Sequence, residues 1–376
     1  MGCAHRGQEQ TRVRRDQPLQ PAWPPARRGG AGIREAGAPR ALQVTRAAPA
    51  IAILAVALPV SLAAGILVGA VPLAPTDVLG ALLGGGDPVT GVIVRDLRLP
   101  RVLAAALVGG SLAVAGALLQ GLFRNPLADP YVTGTSAGAA LGAVGVIALG
   151  SDIAATVVPL AAFIGALASA LLVWQLARLG GRTTVLTVLL AGIILTSFAS
   201  ALVTLLLFAS DRLSLRLRAV LDILSGGVAV RSTSELLIAA IVVAFGVALA
   251  IVLGRRIDAF VFGEETAATL GVDPERTTIG VIGAAALLTG AAVALAGLVG
   301  FVGLVVPHAL RPIVGATHRT LSIASFLAGA SVLVLADLGA RSIFAPAELP
   351  VGVLTGLLGA PFFLVLLVRA RRREVA

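Results

Sequence analysis

The amino-acid sequence predicts an all-α integral membrane protein of about ten transmembrane helices in a single membrane domain. Three observations predict it. The 376 residues are 57% hydrophobic and 13% charged, with a mean hydropathy of +0.98, whereas a soluble domain carries about 25% charged residues. Apolar runs close to the ~20 residues needed to cross a bilayer follow one another with no long polar insertion. The chain has 44 Gly but only 12 Phe, 2 Trp and 1 Tyr, a balance that suits closely packed helices and not a barrel with aromatic girdles.

Taken in order, residues 1–46 are polar and rich in Arg, Pro and Gly, with nine arginines against Glu9, Asp16 and Glu35. Such a segment buries no core and is expected to be a disordered extension. A signal peptide fits poorly, because the next apolar run is a full span without a clear cleavage site. The pair Arg14-Arg15 has no apolar partner nearby. A start beyond this segment is the alternative: Met1 is the only methionine, so it would use a codon such as that of Val44. The membrane domain is expected over 47–370, with a short tail at 371–376.

The ten candidate spans are roughly 48–70, 101–122, 132–150, 154–177, 184–209, 235–254, 278–298, 300–315, 320–339 and 350–368, the eighth being short. Arginine placement orients them. With the N-terminus inside, 21 arginines fall on the cytoplasmic side and 8 outside, or 12 against 8 without the N-terminal segment. Both termini are therefore expected in the cytoplasm of a cell-membrane protein. The outside set is Arg95, Arg98, Arg101, Arg212, Arg216, Arg218, Arg231 and Arg341. The net charge of +10 follows from this topology and calls for no nucleic-acid partner.

Within the spans, Gly134, Gly138 and Gly142 repeat at a spacing of four, placing them on one helix face. Gly352 and Gly356 do the same near the C-terminus. Close backbone approach is the first reading, and a path for a bulky solute lined by the same residues is the second.

All 29 basic residues are arginine, so there is neither a P-loop lysine nor a Schiff-base lysine. Cys3 and the three histidines, His5, His308 and His318, are too scattered for a metal site. His308, beside Pro307, reads as structural. No cofactor is expected on this chain, and any ATP must be bound by another. Ion-coupled carriers keep ionisable groups inside the bilayer. Here Asp337 is the main one, and Arg341 stands at the i,i+4 position to pair with it. A permease driven by separate ATPases fits better than an ion-coupled secondary transporter, which stays as the alternative from another class. A purely structural membrane protein fits least.

A cytoplasmic handle is offered by residues 255–277. Within it GEETAATLG reads as a short helix, with Glu264 and Glu265 in the first turn and Gly271 placed to end it. An ordinary capped surface helix is the other reading. RNPLADP, 124–130, reads as a turn made rigid by Pro126 and Pro130, in which Asn125 bonds to freed backbone groups.

Four long stretches, RLPRVLAAALVGGSLAVAGALLQGLFRNPLADP (98–130), GEETAATLGV (263–272), AGLVGFVGLVVPHALR (296–311) and LADLGARSIFAPAELPVGVLTGLLGAPFF (335–363), together resemble the FecCD-type permeases. These are membrane subunits of ABC importers for ferric siderophores, haem and cobalamin, and the similarity covers about 50–370. The resemblance implies a type II ABC importer permease fold that pairs with itself or a paralogue. It also implies two cytoplasmic ATPases carrying ATP-Mg, an extracytoplasmic solute-binding protein, and a metal-chelate cargo, a ferric siderophore first and cobalamin or haem next.

By the same resemblance, Arg98, Arg101 and Arg341 receive acidic residues of the binding protein, while Arg95 keeps a headgroup or loop role. Asn125 and Leu127 lie near the inner gate, and Glu264, Glu265, Thr266 and Leu270 meet the ATPase. LDILSGGVAV (221–230) departs from the family pattern, with Ile223 or Leu224 where a tryptophan often stands.

Overall fold

The computed structural model describes residues 40–69, 71–149, 154–179, 185–210, 217–230, 232–260, 263–315, 317–344 and 347–375. The remaining positions, including most of the predicted extension and Arg212, Arg216 and Arg231, lie outside the described residues. The described chain is helical throughout, with no strand.

The helices are α1 Arg40–Leu67, α2 Pro75–Leu82, α3 Pro88–Gly91, a π-helical segment Val92–Arg98, α4 Leu99–Leu122, α5 Thr135–Leu149, α6 Ala154–Arg178 and α7 Val185–Ala209. They continue with α8 Leu217–Ser225, α9 Thr233–Phe260, α10 Glu264–Thr269, α11 Pro274–Ala296, α12 Val302–Val314, α13 His318–Ser342 and α14 Val351–Val375. Among the described residues, seven helical stretches are long and apolar enough to cross a membrane. Three shorter apolar ones, α5, α12 and the first part of α14, complete the ten expected positions.

Several boundaries differ from the sequence reading. Helix α1 starts at Arg40, so the last seven residues assigned to the extension are helical, and α14 runs through most of the predicted tail. The second crossing starts at Pro88 and not at 101, because α3 and the π-helical segment run without a break into α4. Asp87 caps this start, accepting from Thr90 N–H at 3.1 Å, and Pro88 occupies the first helical position where no N–H is needed. The short helices α2 and α8 were not anticipated.

Helix α4 is the central column. Every residue from Val108 to Leu122 is buried, and a helix enclosed on all sides must be apolar on all sides. Glycine sets how near its neighbours come. A Cβ on Gly109 would lie 2.1 Å from Gly329 O of α13, and one on Gly116 would lie 1.7 Å from Gly303 O of α12. Neither position can carry a side chain.

Of the three glycines expected on one face, Gly138 and Gly142 pack closely on α5, while Gly134 stands just before the helix with a positive φ. A Cβ on Gly138 would meet Gly165 O at 2.4 Å and one on Gly142 would meet Ala161 O at 2.2 Å, both on α6. Gly352 likewise abuts Ser225 O and Leu298 O, but Gly356 has open space at its Cα. The expected close approach at Gly356 is therefore not made within this chain.

The outer helices α1, α7 and α9 expose large apolar side chains such as Val56, Ile194, Phe198 and Phe245. Hydrocarbon accepts that surface at no cost, so burial in this fold is decided by side-chain size more than by hydropathy.

Candidate functional site: two opposite ends of helix α4

At the N-terminal end of α4, three arginines and two carboxylates converge. Arg101 holds Asp337 of α13 through Nε and Nη2, each 3.1 Å from Oδ1. Its Nη1 holds Glu348 Oε2 at 2.7 Å. Arg341 Nε stands 3.0 Å from Asp337 Oδ2, the i,i+4 pair expected from the sequence, and its Nη2 donates to Gly65 O of α1 at 3.2 Å.

Arg98 is turned inward. Its Nη1 donates to Ile66 O at 2.8 Å and Leu67 O at 3.0 Å, and its Nη2 donates to Val71 O. The first two carbonyls close the end of α1, where helix carbonyls lack intrahelical donors, and a cation there also opposes the helix dipole. Gly69 lets the guanidinium pass, since a Cβ there would sit 2.9 Å from Nη2.

This arrangement separates the three arginines that the sequence reading grouped together. Arg98 and Arg341 are each only 5% exposed, with Nη1 and Nη2 of Arg98 held by Ile66, Leu67 and Val71 carbonyls and Nε and Nη2 of Arg341 held by Asp337 and Gly65 O. Arg101 keeps 23% of its side chain exposed. Arg95, which the sequence reading set aside, is exposed on the π-helical segment. The five groups of the network carry three positive and two negative charges, so the mouth stays cationic. Glu348 was missed as a partner because it stands 247 positions from Arg101 in the chain.

The other end of α4 gathers the remaining candidates. Leu127 N–H donates to Asn125 Oδ1 at 2.9 Å, the local bond expected of this asparagine. Leu127 is 43% exposed at the tip of that turn. Helix α10 starts after Gly263 and is closed by Gly271, both with positive φ. Thr266 and Leu270 are exposed, while Ala267 is fully buried beneath them. The side chains of Glu264 and Glu265 lie outside the described ones.

Two pairs not foreseen stand at this end. His318 Nδ1 lies 2.6 Å from Asp258 Oδ1, which also accepts from His318 N–H at 2.9 Å, joining α9 to α13. The imidazole fills the space left by Gly121 of α4. Arg178 pairs with Glu275 and lies 4.7 Å from the Trp174 ring centroid. His308 lies within α12 and not at a helix end.

Between the two ends runs α4, whose 24 residues span roughly 36 Å at about 1.5 Å per residue. The arginine mouth and the α10 end are thus about one bilayer apart.

Residues 54–369 match the family described as the FecCD transport family. The chain belongs to that family. Its members are permeases of ABC importers of the metal-chelate type, whose ATPase activity resides in separate subunits.

Among relatives of this FecCD member, the cobalamin import system permease protein BtuC of Halobacterium salinarum is 44% identical over 301 residues, covering 80% of this chain and 79% of that one. The hemin transport system permease protein HmuU of Yersinia pestis is 42% identical over 284 residues, covering 74% and 84%. A solved structure described as an inward-facing metal-chelate type ABC transporter superposes with a TM-score of 0.75 at 30% identity, covering 85% of this chain and 98% of that one.

Proposed function

We propose that this FecCD permease forms, with a second permease subunit, the path by which a complete metal chelate enters the cytoplasm, a ferric siderophore being the first cargo to test. An extracytoplasmic binding protein docks at the arginine mouth. Two ATPase subunits grip α10 through Glu264, Glu265, Thr266 and Leu270, and both termini face the cytoplasm. Asn125 and Leu127 stand at the inner gate. The observation that carries this reading is the placement of a cationic mouth and an exposed short helix at opposite ends of one buried column, a bilayer apart. Helix α10 packs on α9 and α11, which pack on α4, and α4 meets α13 backbone to backbone at Gly109 and Gly329, so force applied at α10 has a packed route to the mouth.

A chelate suits this chain because its apolar spans carry few ionisable side chains. A bare cation would need oxygen, nitrogen or sulfur ligands along its route. A second reading, a corrinoid cargo, is favoured by the 44% identical relative that bears a cobalamin name. The ion-coupled alternative has little to work with at Asp337, whose carboxylate is held by two guanidiniums.

Reconstitution tests these readings together. Proteoliposomes containing the permease, its ATPases and a binding protein are supplied with iron-loaded siderophore, haemin or cobalamin. ATP-dependent accumulation of the iron siderophore supports the first reading, and accumulation of cobalamin alone replaces it with the second. Uptake by the permease alone under an ion gradient would overturn both.

A further inference from the structure

Not all contacts in the arginine mouth can be exchanged. Asp337 is 1% exposed and takes two nitrogens of Arg101 along its inner edge. Arg98 and Arg341 are fastened to carbonyls of α1. The remaining contact differs in kind. Glu348 meets the outer edge of Arg101 through Nη1 alone, and its side chain is 47% exposed. It lies in the connection between α13 and α14, where Leu349 N–H bonds to Ala340 O at 3.1 Å and Gly352 N–H to Gly226 O at 3.0 Å. A carboxylate arriving from outside would find Arg101 Nη1 already occupied by a carboxylate of the same chemistry, and one accessible enough to be displaced.

We propose that Glu348 is an internal stand-in for the docking partner: it occupies the outer edge of Arg101 in the undocked permease, and an acidic side chain of the binding protein displaces it. The inference rests on the reading that this mouth receives the binding protein. It goes further by making docking an exchange and not a simple addition. The exchange keeps Nη1 of Arg101 paired while Asp337 holds the other edge, so the guanidinium retains two counter-charges throughout. It also has a mechanical result. Glu348 is three residues before α14, so its release frees the α13–α14 connection from α4. Docking outside thereby removes this side-chain tie to α4, and only while the partner's carboxylate is in place, with the backbone bonds at Leu349 and Gly352 still holding the start of the last helix.

Two measurements test the proposal, both on the permease–ATPase complex in lipid nanodiscs. The first needs no partner. Phenylglyoxal modification of Arg101 is followed by mass spectrometry, with exposed Arg95 as the fast reference and buried Arg98 as the check that the fold is intact. Glu348→Gln is expected to speed modification at Arg101 by about two- to fivefold, the range open to a partly exposed pair, while Arg98 stays unreactive. An unchanged rate at Arg101 would overturn the masking.

The second measures the affinity of the binding protein that supports uptake in the reconstituted system. Glu348→Gln is expected to tighten binding about two- to fivefold, Arg101→Gln to weaken it about tenfold, and the double variant to show no tightening over Arg101→Gln. If Arg101→Gln weakens docking but Glu348→Gln leaves it unchanged or weaker, the mouth docks the partner and the stand-in is disproved. If Arg101→Gln has no effect, the docking reading falls and takes the stand-in with it.

Discussion

Arg98 Nη1 lies 2.8 Å from Ile66 O, closing the end of a helix 32 positions earlier in the chain. A residue with the credentials of a surface contact is thus the cap of α1. Removing the guanidinium leaves several carbonyls at that end without donors, at about 1–3 kcal/mol. Arg98→Met is therefore expected to lower the thermal unfolding midpoint in detergent. Arg98→Lys should recover only part of the loss, since an ammonium cannot span the same fork of acceptors. A midpoint unchanged by Arg98→Met would refute the capping role. The same reasoning makes Arg98→Glu a poor probe of docking, because it damages the fold first, and moves that probe to Arg101.

Asp337 and Glu348 both pair with Arg101, yet their deletion should differ in cost. Asp337→Ala leaves buried Arg341 without its carboxylate and takes one of two from Arg101, a change worth about 3–5 kcal/mol. Glu348→Ala opens a half-exposed pair worth about 1 kcal/mol or less. Side-by-side melting curves should rank them in that order, and equal effects would show that Asp337 is not the anchor of the network.

Gly116→Ala forces a methyl group onto Gly303 O and should destabilise by about 1–3 kcal/mol or more. Gly356→Ala meets nothing within this chain and should melt like the parent when measured on the separated subunit. A tolerated Gly116→Ala would contradict the close crossing of α4 and α12.

Asp129 gives a pH signature. Burial pushes its carboxyl up to about 6, opposed by the bond it accepts from Tyr131 N–H. The native state therefore binds this proton more tightly than the unfolded chain does. Its contribution to stability is present below about pH 4 and is lost as the pH rises through about 6. Asp129→Asn keeps the acceptor for Tyr131 and removes the titration. The unfolding midpoint of the variant should vary less with pH across that window, and an identical pH profile would show the carboxyl titrating normally.

Leu127 is an exposed leucine on a turn fastened by Asn125. If that turn belongs to the inner gate, cysteines placed at 127 in paired permeases should cross-link to different extents with and without ATP. Equal cross-linking throughout the transport cycle would remove Leu127 from the gate.

Much of this molecule was legible in its sequence, and the reasons are local. A chain in hydrocarbon must satisfy its own backbone, so long apolar runs become helices. The Gly138–Gly142 contact and the Asp337–Arg341 pair depend on the periodicity of one helix, and both appear where that periodicity puts them, whereas Gly134 precedes α5 with a positive φ. Gly263 and Gly271 bound α10 by the conformations they permit. The failures share one cause. Arg98 and Arg101 stand three positions apart in LRLPR with equal claims, and nothing local says that one is sunk into the end of α1 while the other reaches Glu348.

The sequence by itself determined an all-helical membrane protein, the approximate position of its ten apolar helices, the turn at Asn125 and the short helix α10, because each follows from neighbours within one or two turns. Long-range packing made α4 the buried column, brought Asp258 to His318, and set which guanidiniums turn inward. Those outcomes depend on which helices come within a few ångströms of one another. Charge and hydropathy are nearly silent on that in a chain whose helices are apolar on every face.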